Sequence, residues 1–244
     1  MWGQKILRAA DKTLNVAIWC LVLILFLYSG LGLWDTYCIY RNAGNSELVY
    51  QYKPSGKGDA LSFSELQKMN KDVCAWLTVD GTSIDYPVVQ GESNMEYINK
   101  DVEGKFSLSG SLFLDYRNDQ KFQDFYSLIY GHHMEGDIMF GSLPSFQEAE
   151  FFDSHTTAEL FTPEDKQAIE IFACVHTDAY DSIIFAPEYQ DEDSKALLLN
   201  HIKEKAVQYR SMDLTKNDRI IGFSTCYDTT TNGRIIVFGK IKSK

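Results

Sequence analysis

The chain has 244 residues, of which 45% are hydrophobic, 14% aromatic and 23% charged, and its formal net charge is −11. This is the composition of an ordinary globular protein, and it excludes a chain that is mainly disordered or of low complexity. The acidic balance argues against a nucleic-acid partner, because binding to phosphates requires a basic surface.

The first predicted element is an apolar helix. Leu14–Trp34 contains no charged residue over 21 positions, a length of about 31 Å in a helix, which is enough to span a bilayer. Three basic residues and one acidic residue precede it, so we expect residues 1–13 in the cytoplasm and everything after residue 34 on the extracellular face. A cleaved signal peptide is the alternative, although the run is longer than the apolar region of most signal peptides.

Residues 35–60 have no sustained periodicity and contain Gly, Pro, Ser and Asn, which predicts an extracellular tether. Residues 61–244 then form the predicted folded domain. Without residues 1–34 the chain has 20 Lys+Arg against 33 Asp+Glu, a net charge of −13 that keeps an external domain soluble. The domain is predicted to begin with an amphipathic helix over residues 65–76, with a capping box at Ser64–Gln67.

Short β-rich runs bounded by turns dominate the rest of the chain and predict about eight strands. An Asp-Gly turn joins the first two, in WLTVDGTSIDYPVV, and six others follow: SGSLFLDYR, DFYSLIYGHH, TTAELF, QAIEIFACVHT, RIIGFSTC and RIIVFGKI. Two helical stretches interrupt them, one around MFGSLPSFQEAEFF and a longer one over residues 194–210. Many strands and few helices favour a mainly β fold, a closed barrel decorated with helices.

The cysteines do not form a disulfide or metal pattern. No Cys-x-x-Cys or Cys/His metal spacing occurs, and no metal or cofactor is expected. Cys74 and Cys174 lie among apolar residues, which predicts buried and inert thiols. Cys226 differs, because it ends an apolar strand just before the polar turn YDTTTNG.

Chemistry is predicted at this turn. If the flanking runs form a hairpin, Cys226 and Arg234 face each other at about 5 Å between backbones. A guanidinium there would lower the thiol pKa and donate hydrogen bonds to an oxyanion, as acyl transfer requires. Nucleophilic cysteines usually work with an imidazole, and His132 or His133, which follow a strand and Gly131, could lie at the same rim. The remaining histidines are expected to be surface or core residues.

These residues resemble the signature of a known family. STC followed by Arg eight residues later, together with YGHHM upstream, is similar to the Cys, Arg and His motifs of the sortases, membrane-anchored cysteine transpeptidases of Gram-positive bacteria. The blocks LQKMNKDVCAWLTVDGTSIDYPVVQG, GSLFLDYRN and GDIMFGSLPSF resemble class B, from about Leu61 to Lys240. The resemblance implies a closed eight-stranded barrel with an N-terminal helix and a long helix between strands six and seven.

The resemblance also implies roles. Cys226 is the expected nucleophile, His132 the catalytic histidine and Arg234 the oxyanion-stabilising arginine, while His133 is expected to be a surface ring. Ser224 and Thr225 are expected to line the substrate groove, and Asp228 to order the loop.

The implied activity is transpeptidation. The enzyme would cut a C-terminal sorting signal of an exported protein, at a Thr-Gly or Thr-Asn type bond, and transfer the protein to an amine. The acceptor would belong to a lipid-linked peptidoglycan precursor or, alternatively, to a pilin lysine.

Two other functions compete with this interpretation. A catalytically silent, membrane-anchored binding barrel would keep the fold without the activity, but all three expected catalytic residues are present. A papain-type hydrolase would place the cysteine before the histidine, whereas here His132 precedes Cys226.

Overall fold

The N-terminal element is one long helix, α1 (Trp2–Ala43). The computed structural model describes residues 2–43, 47–54, 60–189, 191–226 and 232–242. Within α1, the stretch Trp2–Tyr40 is long and apolar enough to cross a membrane. The chain divides into two units, Met1–Arg41 and Asn42–Lys244, and the second contains all the strands that the structure describes.

Eight strands of the second unit close into a barrel. The ring runs β5-β1-β2-β3-β4-β8-β9-β6, and pairing of β6 with β5 closes it. A ninth strand, β7, pairs with β6 outside this ring. The strands are β1 (Val73–Val79), β2 (Asp85–Val89), β3 (Leu112–Leu114), β4 (Tyr126–Tyr130), β5 (Thr157–Phe161), β6 (Lys166–Asp178), β7 (Ala206–Tyr209), β8 (Arg219–Cys226) and β9 (Gly233–Ile241). The predicted mainly β, closed eight-stranded barrel is confirmed.

The described part of the second unit also contains five helices. They are α2 (Glu47–Tyr50), α3 (Ala60–Met69), a 3-10 helix (Leu143–Gln147), α4 (Ala149–Ser154) and α5 (Glu192–Lys205). The helix predicted between the sixth and seventh barrel strands is α5, which begins at an N-cap aspartate, Asp191, whose side chain accepts from the backbone N–H groups of Asp193 and Ser194. Leu198 and Ile202 are the fully buried residues of α5.

Strand alternation separates an inner and an outer apolar layer. On β8, Ile221 and Phe223 belong to the cluster that fills the barrel, whereas Ile220 belongs to the cluster beneath α5. On β9, Ile235 points inward and Ile236 outward in the same way. A third cluster lies under α3 and includes Phe63, Leu66 and Trp76. The barrel is therefore filled on the inside and covered on two outer faces.

The predicted helix over residues 65–76 is wrong at both ends. Helix α3 begins at Ala60, so Ser64 is internal and the proposed capping box is absent, and the helix ends at Met69. The segment from Val73 onward is strand β1, which pairs with both β2 and β5. Strand β1 is buried on both faces, so its first residues are a continuous apolar run. Such a run fits the spacing of a helix as well as that of a strand, and the sequence alone could not distinguish the two.

The long helix predicted over residues 194–210 is also too long. It ends at Lys205, and Ala206–Tyr209 turn into strand β7. The reason is tertiary: β5 covers β6 only up to Glu170, so the next part of that β6 edge, Ala173–Val175, is available to β7. Pairing with this edge outweighs the helical preference of the sequence.

Part of the segment expected to be a tether packs on the barrel. Val49 is buried among the residues under α3. Lys53 Nζ donates to Asp85 Oδ2 at 2.7 Å, and the Tyr50 hydroxyl donates to the same carboxylate. These contacts attach residues 49–53 to strand β2.

Candidate active site

The predicted hairpin of Cys226 and Arg234 is formed by strands β8 and β9. The two strands are antiparallel, and the Cα of Cys226 pairs directly with that of Arg234. Direct partners in such a ladder lie about 4.5–5.5 Å apart between Cα atoms. The backbones of Cys226 and Arg234 therefore face each other across the hairpin, as predicted from the sequence. Cys226 is the last residue of β8 that the structure describes.

His132 reaches the same rim because β4 and β8 are parallel. Tyr130 at the end of β4 pairs with Ser224, and the Gly131 N–H continues the ladder by donating to the Ser224 carbonyl at 3.1 Å. Two residues beyond each partner stand His132 and Cys226. Since parallel strands end at the same edge of a sheet, the backbones of the two residues lie at the same end of the barrel.

Gly131 is required by close packing. A Cβ at this position would lie 2.4 Å from Leu112 Cδ2 and 2.7 Å from Phe140 Cδ2. The backbone after it is held as well, because the Phe140 N–H donates to the His132 carbonyl at 3.0 Å. The turn that carries His132 is therefore fixed by neighbours on both sides.

The His132 ring has a defined partner. Its Nε2 lies 2.8 Å from the backbone oxygen of Ile98. A carbonyl can only accept, so Nε2 carries the proton and Nδ1 is the nitrogen left for other chemistry. The Ile98 carbonyl is itself packed against Gly110, where a Cβ would approach its oxygen to 2.4 Å.

Arg234 lies between two strands, since its Cα also pairs with Thr177 on β6. The side chain is half-buried, and its Nη1 donates to the neighbouring Gly233 carbonyl at 3.0 Å. The chain after β6 continues beside the residues that precede β9, because the Ala179 N–H donates to the Asn232 carbonyl at 2.8 Å. The segment from 179 onward therefore flanks the arginine.

The residues before Cys226 are buried. Ser224 and Thr225 are each 2% exposed, and neither hydroxyl has a hydrogen-bond partner among the described residues. By strand alternation Ser224 lies on the outer face and Thr225 on the inner face, toward the barrel interior. Their predicted contact with substrate stays a prediction, and Asp228 lies outside the described residues.

The pattern of the whole chain identifies its family. The signature of the family described as Sortase domain matches residues 77–242, more than half of the chain, and these bounds include all three predicted catalytic residues. The chain belongs to the sortase family.

Similar proteins place this sortase in class B. Sortase B of Staphylococcus aureus (strain NCTC 8325 / PS 47) is 34% identical over 181 residues, covering 73% of this chain and 74% of that protein. The crystal structure of a Streptococcus pyogenes class B sortase involved in pilus biogenesis is 54% identical, covers 74% of this chain and 97% of that one, and has a TM-score of 0.68. Sortase B from the type II pilus of Streptococcus pneumoniae is 41% identical, covers 75% and 99%, and has a TM-score of 0.65. The chain is a class B sortase, a cysteine transpeptidase acting on sorting signals.

The other thiols of the sortase domain are buried, as predicted. Cys74 is 5% exposed and Cys174 is fully buried. Burial raises the pKa of each thiol to about 12, so neither forms a nucleophilic thiolate at neutral pH. Two of the remaining histidines have structural partners. The ring of His155 stacks on that of Phe151, with centroids 3.8 Å apart, and His201 Nε2 contacts the carboxylate of Asp181.

His133 departs from expectation. It was expected to be a surface ring, but it is half-buried, and its Nδ1 is buried with no hydrogen-bond partner in the part of the chain that the structure describes. Its backbone forms an isolated antiparallel bridge with Met139.

Sequence reasoning gave no role to a buried ionic cluster behind the sortase site. Asp115 is fully buried and forms a two-point ion pair with Arg117, with both distances at 2.9 Å. The Tyr130 hydroxyl, two residues before His132, donates to the same carboxylate at 3.0 Å. An acid and a base two residues apart directly after an apolar strand would have been a signal for such a pair.

Proposed function

We propose that this sortase cuts the sorting signal of an exported protein at a Thr-Gly or Thr-Asn type bond and transfers the new carboxyl end to an amine. The observation that carries the proposal is the pairing of Cys226 with Arg234 at the end of β8, next to the parallel strand that leads into His132. Nucleophile, oxyanion donor and proton carrier are the parts that acyl transfer from a peptide needs.

In the first half-reaction the Cys226 thiolate attacks the threonine carbonyl carbon, and a C–S bond forms. Arg234 donates hydrogen bonds to the oxyanion of the tetrahedral intermediate; removal of one such donor slows comparable reactions by about 10²–10³-fold. As the C–N bond breaks, His132 gives its proton to the leaving amine. Because Nε2 is held by the Ile98 carbonyl, Nδ1 is the nitrogen that transfers this proton.

In the second half-reaction the acceptor amine attacks the thioester carbonyl. Neutral His132 takes the proton of the amine through Nδ1, the new C–N bond forms, and Cys226 leaves as the thiolate. The cycle returns the histidine to its protonated state, so no cofactor is consumed. Water in place of the amine would give hydrolysis.

The acceptor is either a pilin lysine or the amine of a lipid-linked peptidoglycan precursor. The comparisons favour the pilin lysine, because the solved sortases named for pili are 54% and 41% identical to this chain, against 34% for the S. aureus sortase B. Wall anchoring is the second candidate and rests on the class B sequence blocks.

The location proposed for the enzyme follows from α1. With Leu14–Trp34 in the membrane and residues 1–13 in the cytoplasm, the catalytic domain from residue 61 lies on the extracellular face, where exported substrates emerge. The long apolar helix supports this arrangement. A tethered enzyme meets tethered substrates at a raised effective concentration.

The test is transfer of sorting peptides to two amines, a lysine side chain and the N-terminal amine of a cross-bridge peptide, with products read by mass. Cys226→Ala should abolish both the thioacyl-enzyme and the product, and Arg234→Lys should reduce turnover because an ammonium lacks the planar fork. Thioacyl formation by Cys226→Ala, or full turnover by Arg234→Lys, would refute the assigned roles. The preferred amine decides between the two acceptors.

A further inference from the structure

Asp115 is bound directly by two segments near the candidate site and is connected to a third through Arg117, and we call this carboxylate with its partners the hub. Its carboxylate accepts from Asn94 Nδ2 at 2.8 Å, from the Tyr130 hydroxyl at 3.0 Å and from the Arg117 side chain. Asn94 belongs to the loop that leads to Ile98, the acceptor for the His132 ring. Tyr130 ends strand β4, two residues before His132 itself.

Arg117 extends this hub to the third segment. While Nε and Nη2 bind Asp115, Nη2 also donates to the Phe185 carbonyl at 2.9 Å. The ring of Phe185 stacks on that of Tyr130, with centroids 6.3 Å apart and planes inclined by 18°. Residue 185 is therefore held against the His132 side of the site by both its backbone and its ring.

The other end of this segment lies on the Arg234 side. Thr177 pairs with Arg234, and Ala179 bonds to the backbone of Asn232. Asp181 then shapes the turn: its carboxylate accepts from the backbone N–H of Ile183 at 3.1 Å and from the Thr177 hydroxyl at 2.7 Å. Residues 179–185 thus run from the arginine to the strand that carries the histidine, and we call them the site wall.

The hub is built to stay charged and rigid. Burial alone would raise the pKa of Asp115, but hydrogen bonds from Arg117 and Asn94 outweigh it and leave the pKa below its ordinary value. Removing one partner of a buried ion pair is strongly destabilising, whereas a two-point pair with satisfied oxygens holds its geometry. An ion pair exposed to water would not hold its neighbours in one geometry, because such pairs contribute little to stability.

We propose that Arg117, held by Asp115, is a positioning residue that fixes the site wall so that it can bind the sorting peptide. The inference rests on the proposed function, since it assigns the wall to the peptide that Cys226 attacks. Arg117 touches no reacting atom in this scheme. Its loss should therefore loosen the wall and weaken peptide binding while leaving the bond-making step largely intact.

Arg117→Lys tests this without leaving Asp115 unpaired, because an ammonium can reach the carboxylate but cannot bind it at two points and also reach Phe185. We expect the KM for the sorting peptide to rise about tenfold, the effect of losing one charge-assisted hydrogen bond, with kcat within about twofold. Amide hydrogen exchange of Ile184 and Phe185 should accelerate. Tyr130→Phe, which removes only a hydroxyl, should give the same changes to a smaller degree.

Arg219→Lys is the matched control. Arg219 also donates from a guanidinium to a backbone carbonyl, that of Phe122 at 2.8 Å, but it stands at the opposite end of β8 from Cys226. It should leave KM, kcat and exchange of the site wall unchanged.

Peptide affinity is measured in addition on a Cys226→Ala background, where binding does not depend on the chemistry. Unchanged exchange and unchanged peptide affinity in Arg117→Lys would overturn the positioning role. A loss of kcat at constant KM would overturn it as well. If the unsubstituted chain bound the peptide normally but transferred it to neither amine, that result would count against the proposed reaction alone.

Discussion

Replacement of Gly110 by alanine should misplace the ring of His132, although the two residues are not in contact. Gly110 is buried and has φ +59°, and an added Cβ would lie 2.4 Å from the Ile98 oxygen and 2.8 Å from that of Tyr97. These atoms belong to the backbone and cannot rotate away. A tolerable contact of at least 3.0 Å requires the Ile98 oxygen to move by about 0.6 Å or more.

That movement acts on the bond that orients the histidine. The Nε2···O distance is 2.8 Å, so a shift of this size either stretches the bond to about 3.4 Å, at the limit of hydrogen bonding, or turns the ring. Misplacement of a catalytic group by about 1 Å reduces rates by about 10²-fold, so we expect kcat/KM to fall by about 10–10²-fold. The left-handed φ adds a loss of about 1–2 kcal/mol in stability.

Gly104→Ala is the matched control, since Gly104 has φ +80° and nothing within 4 Å of an added Cβ. It should lose the same stability from its backbone conformation and keep full activity. The assays are peptide transfer to an amine for activity and thermal unfolding for stability. If Gly110→Ala transfers peptide as fast as Gly104→Ala, the Ile98 carbonyl does not orient His132 and the assignment of Nδ1 as the proton carrier loses its support.

Two further predictions concern the rest of the domain. Burial would raise the pKa of Asp85, but hydrogen bonds from four side chains outweigh it, and the pKa of Asp115 is lowered in the same sense. A carboxyl group whose pKa is lowered by folding stabilises the fold above its unfolded pKa of about 3.9, and this stabilisation is lost as the pH falls through the folded pKa. Urea unfolding should therefore show a free energy of unfolding that declines below about pH 5. Asp85→Asn should make that decline less steep. Cys74 and Cys174, with pKa values of about 12, should react with a thiol reagent at pH 8 only after unfolding, as read by mass mapping; labelling in the folded protein would contradict their burial.

Much of the fold could be predicted because its signals are local. The eight barrel strands appear in the sequence as short β-rich runs between turns, and each predicted run overlaps an observed strand. The hairpin of Cys226 and Arg234 follows from two such runs and one turn. The position of His132 at the same rim was predicted in the same way, because His132 follows the end of one further strand.

Errors arose where long-range pairing overrides local preference. Val73–Trp76 match helical spacing, but they pair with β2, and Trp76 also pairs with β5, in a strand that is buried on both faces. Ala206–Tyr209 continue a helical pattern, but an uncovered stretch of the β6 edge pairs with them. Neither partner can be read from the local sequence, because the competing strand edges are brought close only by the closure of the barrel.

The amino-acid sequence by itself therefore determined the apolar N-terminal helix, the β character of the domain and the resemblance to the sortases. Only the tertiary structure decided what supports them. Asp115 is one acidic residue among 34 Asp and Glu in the sequence, and its role depends on donors 15 and 21 residues away and, through Arg117, on a carbonyl 68 residues further on. Periodicity reports which side of a strand is buried, whereas a buried charge derives its function from partners that only the folded barrel brings together.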